Sequence, residues 1–335
     1  MSIRPYVQGQ DDKTLLHICN TARSEAPDFV PARLEQFRTG QRSPNWTPEG
    51  RFFAELDGEP VGYAMGYVDK RGTDGVGDLR GPNVLPGSRR RGVGTALARK
   101  AMDYLRRKGM ERARVWVEGW NEGGRAFLVS LGFEQVRQYS IMRRPLSGLP
   151  SGIGENEEAV IEELGGSRED VALQAAISNA AFQEHFAHRD VTEEELMFWV
   201  RNTKRMGYVV RRTVARVNGE PVGYLIHGYD PRGNRKLGVE RGGLWSVGVL
   251  KEHRCRGVAT RLMLEGMEWL VAQGMDEVEL GVDDENVTRA RRVYERLGFK
   301  EVHTDMACER PLDPLPTEDK DEGCVGEGGG MKAKG

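Results

Sequence analysis

Along the second half of the chain the apolar side chains Val258, Leu262, Trp269 and Leu270 recur at i, i+4, i+11 and i+12. That spacing gathers them on one face and predicts a helix over Ala259–Gln273, which Gly274 ends. Before it, two runs flank an Asn218-Gly219 turn, Tyr208–Val217 and Pro221–Tyr229, and read as a β-hairpin. After it come a strand over Glu277–Val282 and a last helix over Val287–Leu297. The first half carries the same hairpin, Arg51–Leu56 with Pro60–Val68 around Asp57-Gly58. Opening strands are expected at Ser2–Tyr6 and Ala159–Glu163.

The likeness extends to the letters. Gly58-Glu-Pro-Val-Gly-Tyr63 returns as Gly219-Glu-Pro-Val-Gly-Tyr224, Arg91-Gly-Val-Gly-Thr95 as Arg256-Gly-Val-Ala-Thr260, and Leu131-Gly-Phe133 as Leu297-Gly-Phe299. The offsets are 161, 165 and 166 residues, so order and spacing survive together. A period this long marks a duplicated domain. The expected organisation is a first domain over residues 1–144, a linker over 145–158 rich in Pro, Gly and polar residues, and a second domain over 159–312. Residues 313–335 offer little to bury and are expected to be disordered.

Composition narrows the classes. The 335 residues hold 49 basic and 51 acidic side chains, a net charge of −2, which gives no general attraction for nucleic acid or an anionic membrane. Apolar stretches such as Val61–Val68 are far shorter than the ~18 residues of a membrane span. The first thirty residues are too charged for a signal peptide. Cys19, Cys255, Cys308 and Cys324 form no CxxC pair, so a reducing, cytoplasmic setting is expected. His253 and Cys255 have no second ligand pair beside them, and no metal site is expected.

Glycine is the outlier, 43 residues. One group of them lies where chemistry can occur. Val249-Leu-Lys-Glu-His-Arg254-Cys255-Arg256-Gly257-Val258-Ala259-Thr260 joins a short apolar strand to the long helix. A glycine turn at a helix start exposes unpartnered backbone N–H groups, and the helix dipole adds partial positive charge. Such a turn suits a phosphate. Arg254 and Arg256 add full charges, while the small residues 257 and 259 permit close approach. A surface loop with solvated arginines is the bland alternative.

Arg-x-x-Gly-x-Gly/Ala after an apolar strand, followed by Asn, Tyr and Leu-Gly-Phe, resembles the GNAT acetyltransferase superfamily. The second half carries the pattern on Arg254, Gly257, Ala259, Asn286, Tyr294 and Gly298-Phe299; the first carries it on Arg89, Gly92, Gly94, Asn121 and Gly132-Phe133. The pairing is similar to that of tandem-GNAT proteins, the mycothiol synthase family among them. The resemblance implies two mixed α/β domains, each a mostly antiparallel twisted sheet flanked by helices. It also implies acetyl-CoA as co-substrate, held by Val247, Gly248 and Val249 on the fourth strand and by residues 254–260 and Asn286. In the first half Val84, Arg89, Arg91, Gly92, Gly94 and Thr95 would take those places. Near Val247 to Val249 a main-chain N–H would meet the thioester carbonyl, and Tyr294 would be the general acid. A phenol of pKa ~10 suits a departing thiolate whose conjugate acid is near ~8.5. Without the resemblance, Tyr294 reads as a core residue.

Two departures stand out. The first half has Leu128 where the second has Tyr294, and Pro82 removes a backbone donor from its fourth strand, so it is expected to bind or scaffold without turning over. The glutamate that the mycothiol synthase family tends to carry at the start of the fourth strand is Gly243 here, with Glu240 as the candidate base. His185, His188 and His227 are weighed as acceptor contacts against ordinary surface or core histidines. Trp199 and Trp245 are expected in the core. The run Arg89-Arg90-Arg91 is explained more economically by CoA phosphate than by RNA. The resulting expectation is an acetyl-CoA-dependent N-acetyltransferase acting on a primary amine of a small molecule. A protein N-terminal or lysine acetyltransferase and a non-catalytic CoA sensor are its rivals.

Overall fold

The computed structural model describes residues 1–150, 156, 158–286, 288 and 290–313. The first half runs β1 (Ser2–Pro5), α1 (Asp12–Ala22), α2 (Leu34–Gly40), β2 (Arg51–Leu56), β3 (Glu59–Tyr67), β4 (Val76–Val84), α3 (Val93–Arg107), β5 (Arg112–Glu118), α4 (Glu122–Ser130) and β6 (Glu134–Pro145). The second repeats it as β7 (Val160–Glu163), α5 (Arg168–Phe182), α6 (Glu193–Met206), β8 (Val209–Val217) and β9 (Glu220–Tyr229). A short added helix α7 (Pro231–Leu237) precedes β10 (Arg241–Val249), α8 (Val258–Ala272), β11 (Glu277–Asp283), α9 (Arg291–Arg296) and β12 (Lys300–Pro311). The hairpin turns are built on Asp57 and Asn218 at φ 53° and 52°, each followed by a glycine of positive φ.

The sheet is continuous across both halves, in the order β1-β2-β3-β4-β5-β12-β6-β11-β10-β9-β8-β7. The centre of this order is an exchange. β12, last in the chain, pairs with β5 of the first half, and β6, which ends the first half, pairs with β11 of the second. Each half's fifth strand is therefore bordered by the last strand of the other half. The cores follow the exchange: Met306, Cys308 and Leu312 join the α3 core, while Met142 and Leu146 join the α8 core. A reciprocal clasp locks it. Arg310 of β12 donates to Leu131 O, and Arg144 of β6 donates to Leu297 O, so each arginine holds the Leu-Gly-Phe turn of the opposite half.

One face of the sheet is covered by α3 and α8, the other by the α1–α2 and α5–α6 pairs. The alternation of buried residues along β2 decides which side each enters: Phe52 and Ala54 face α3, and Phe53 faces α1. The expected linker is fastened at its start, with Leu146 buried and its N–H donating to Asp276 O. Residues 151–155 and 157, and residues 314–335 of the expected tail, lie outside the described residues. Of the expected last helix Val287–Leu297, Arg291–Arg296 is helical, while Val287 and Arg289 lie outside the described residues. Asn286 Oδ1 accepts from both the N–H and the hydroxyl of Thr288, a local turn that competes with the helix, which begins only at Arg291.

Candidate active site

Among the described residues, the parallel pairing in each half joins the fourth strand to the fifth, and it is brief. β10 and β11 pair at Arg241–Gly243 against Glu277–Glu279 and then part; β4 and β5 pair at Val76–Asp78 against Arg112–Arg114 and part likewise. Beyond the split, one edge of β10 has no strand beside it. The N–H of Leu250 bonds Val222 O on β9, and antiparallel alternation then turns the N–H of Gly248 toward β9 and those of Val249 and Val247 into the split. A bulge between Leu244 and Ser246 sets this phase. In the first half Leu85 N–H bonds Val61 O, so the same alternation puts Val84 and Pro82 at the places of Val249 and Val247. Val84 can donate into its split; Pro82 has no N–H to donate.

At the end of the split stands the glycine turn. Gly257 precedes α8 at φ 79°, and Gly92 precedes α3 at φ 78°. Cys255 and Arg90 are also left-handed, at φ 59° and 61°. The first intrahelical bond of α8 is donated by Arg261 to Gly257 O, so the N–H groups of Val258, Ala259 and Thr260 have no acceptor within the helix. Ala96 to Gly92 O repeats this in α3 and leaves Val93, Gly94 and Thr95 in the same state. These are the backbone donors on which the sequence reading relied.

The arginines divide the work. Arg254 donates through Nε to Val249 O at 3.2 Å and through Nη2 to Ala181 O at 2.9 Å, and its Nη1 meets Glu184 at 2.9 Å. Arg89 makes the matching bonds to Val84 O and Ala22 O. Both act as braces that tie the fourth strand to the first helix of its half. Arg256 and Arg91 remain exposed at the turn. Asn286 lies with its Nδ2 at 3.3 Å from Nε2 of His185, which stacks on Phe182.

Tyr294 is buried in the α8 core, its ring 6.3 Å from that of Phe299. Burial pushes its phenol up to about 12, because the low-dielectric surroundings disfavour the charged form. The hydroxyl therefore keeps its proton at neutral pH. Leu128, buried at the matching place in α4, has no proton to give.

A cavity of about 570 Å³ opens beside the β10 bulge, on the α5–α6 face. Its walls include Trp199 of α6, Trp245 of β10 and Tyr208, with Val30 contributed by the first half. Trp199 and Trp245, expected in the core, are instead 46% and 47% exposed. The bulge turns Trp245 outward onto this face. His227, weighed as an acceptor contact, is instead a core histidine: it is fully buried against Trp269, where burial drives its pKa down to about 3, and it does not line the cavity. His185 and His188 do not line the cavity either. Glu240 is exposed ahead of β10, and the carboxylates of the cavity wall are Asp230 and Glu279. Glu279 and Arg212 escaped the sequence reading because charged residues on strands ordinarily mark a solvated face. No group of three or more His, Cys, Asp or Glu is placed to hold a metal among the described residues, and no helix there is long and apolar enough to cross a membrane.

Comparison with known proteins agrees with this geometry. The model of the acetyltransferase (GNAT) family matches residues 18–133 and 174–299, once in each half. A mycothiol acetyltransferase of Rhodococcus erythropolis is 31% identical over 78% of this chain and 85% of its own length. That of Streptomyces coelicolor is 28% identical over 89% and 90%. Among solved structures, a tandem GNAT protein from the clavulanic acid biosynthesis pathway superposes with a TM-score of 0.72 at 17% identity, covering 94% of this chain and 99% of that one. A GCN5-related N-acetyltransferase from Sphaerobacter thermophilus gives 0.66 at 21% identity, over 93% and 95%. Two family matches in register with two splits, two glycine turns and one duplicated sequence leave a single assignment: the chain belongs to the GNAT family of acetyl-CoA-dependent acetyltransferases, in its tandem form.

Proposed function

We propose that the second half carries out acetyl transfer to the primary amine of a small molecule and that the first half supports it without turnover. One observation carries this reading. The amides of Val247 and Val249 run along an open split from the cavity to the helix turn at Gly257, whereas Pro82 interrupts the same path in the first half.

Acetyl-CoA supplies the acetyl thioester. The amides of Val258, Ala259 and Thr260, which have no acceptor within the helix, hold its pyrophosphate, with positive charge from Arg256 and the helix dipole. The Val247 amide donates to the thioester oxygen as negative charge develops there. A C–N bond forms between the amine and the acetyl carbon, the C–S bond breaks, and the amine releases its proton to solvent. Tyr294 gives its hydroxyl proton to the departing sulfur and regains one from solvent, so the products are an N-acetyl amide and free CoA thiol. A small acceptor is favoured because the cavity is roofed in part by the first half: Arg232 donates to Pro31 O, and Asp28 bridges Arg143 and Arg241. A protein chain would need an open groove. The cytoplasm suits the free thiols of Cys19 and Cys308 and the need for acetyl-CoA.

Replacing Tyr294 with Phe keeps the ring and removes the proton. We expect kcat to fall by about 10²- to 10⁴-fold, while calorimetry gives an acetyl-CoA affinity within about twofold of the parent. Equal turnover in variant and parent would remove Tyr294 from the mechanism.

A further inference from the structure

The cavity holds one charge that the protein leaves unanswered. Arg212 stands on β8, and its register partner Ile226 is also the partner of Ser246 on β10. The three residues line up across the sheet. At about 4.8 Å between strands, Arg212 lies roughly 10 Å from the bulge. Its guanidinium reaches α6, where Nη2 donates to Thr203 Oγ1 at 3.3 Å. No carboxylate pairs with it among the described residues, and burial lowers its pKa with no acidic group opposing the shift. The other arginine of the wall, Arg241, is answered by Glu277 and Asp28. A half-buried guanidinium among apolar side chains is unfavourable until an anion meets it.

The floor of the cavity is flat and aromatic. Gly243 and Gly228 are paired on adjacent strands, and the indole of Trp245 lies over both. A Cβ on Gly243 would fall 2.2 Å from its Nε1, and one on Gly228 would fall 3.0 Å from its Cη2. Tyr208 meets the indole edge-on, with centroids 6.0 Å apart. Gly243 is thus covered by an indole. The acids of the wall stand at the other end: Glu279 is the partner of Gly243, and Asp230 follows Tyr229, the partner of Gly242.

We infer that the acceptor is an amine joined through a flat apolar body, of aromatic size, to a carboxylate. The carboxylate pairs with Arg212, the body lies on Trp245, and the amine points past Glu279 into the β10–β11 split. This assignment rests on acetyl transfer by the second half. An amino sugar would bring hydroxyls that the apolar walls cannot pair.

The test follows CoA release from 4-(2-aminoethyl)benzoate, from 2-phenylethylamine, which lacks only the carboxylate, and from glucosamine. Parent protein should prefer the benzoate over 2-phenylethylamine in kcat/KM by about tenfold to a hundredfold. In Arg212→Met, still binding acetyl-CoA, that preference should fall to about one. An unchanged preference in Arg212→Met, or glucosamine as the best acceptor of the three, overturns the inference and leaves acetyl transfer standing. Calorimetry separates the remaining case. Binding of the benzoate that is lost in Arg212→Met, without CoA release from any amine, upholds the cavity chemistry and refutes transfer by this half. The absence of both benzoate binding and CoA release from any of the amines overturns the inference.

Discussion

At one register of the repeat, the second half presents the Val247 amide to its split and the first presents the ring of Pro82; at another, Tyr294 faces Leu128. Around these differences the halves are alike. Arg254 and Arg89 make matching bonds to the strand before and the helix before that, and Gly257 and Gly92 adopt the same left-handed turn. The turn is therefore maintained by its braces and its φ values, whether or not a proton donor stands behind it. A glycine–arginine motif reports the shape of a phosphate cradle; the proposed chemistry rests on two further atoms, a main-chain hydrogen and a phenolic one. The acceptor side differs as well. Where Trp245 lies over Gly228 and Gly243, the first half has Arg80 stacked 4.2 Å from the Tyr67 ring centroid.

Four experiments probe this contrast. The largest effect is expected from Val247→Pro, which gives the second half the strand chemistry of the first. Loss of one oxyanion donor should lower kcat by about 10²- to 10³-fold. Steady-state kinetics with a thermal melt decide it, and an unimpaired kcat would clear the amide of a role.

Gly257→Val comes next. A β-branched residue at φ 79° is strained by roughly 1–2 kcal/mol, and the turn should shift its amides away from the pyrophosphate. Calorimetry should show acetyl-CoA binding weakened by about tenfold, with each 1.4 kcal/mol of lost binding worth one such factor. Unchanged affinity would place the nucleotide elsewhere.

Leu128→Ala then isolates the first half. Emptying a buried leucine site should destabilise the protein by about 2–5 kcal/mol, read in denaturant. Turnover per folded molecule should stay within about twofold, because no proton leaves from this position. A large loss in a folded variant would give the first half a part in the chemistry.

The smallest effect concerns pH. Burial raises the Tyr294 phenol to about 12, so its proton is present at lower pH and is lost only as pH rises through that value. Activity should thus show no alkaline limb from this group near pH ~10, where an ordinary phenol ionises. A kcat profile falling there would mean that the ring is solvated in the working enzyme.

Much of this architecture could be read from the letters. The hairpins around Asp57-Gly58 and Asn218-Gly219, the α8 stripe and both helix-start glycines depend on local geometry: side-chain periods and residues that tolerate positive φ. The duplication was legible for the same reason, since each copy must satisfy those local demands. Trp199 and Trp245 were misplaced because bulk and apolarity favour burial, while a bulge at Leu244–Ser246 turns one indole outward. His227, weighed as an acceptor contact against a core histidine, is the core histidine, sealed against Trp269.

What the sequence determined by itself is the family, the tandem repeat and the turn that suits a phosphate, all properties of short segments. Tertiary structure alone decided that β6 and β12 change places, that the Val247 amide turns into the split, and that no carboxylate pairs with Arg212 among the described residues. Those facts depend on which distant strands lie side by side and in what phase. Strand register is set by packing over the whole sheet, beyond the reach of any local pattern.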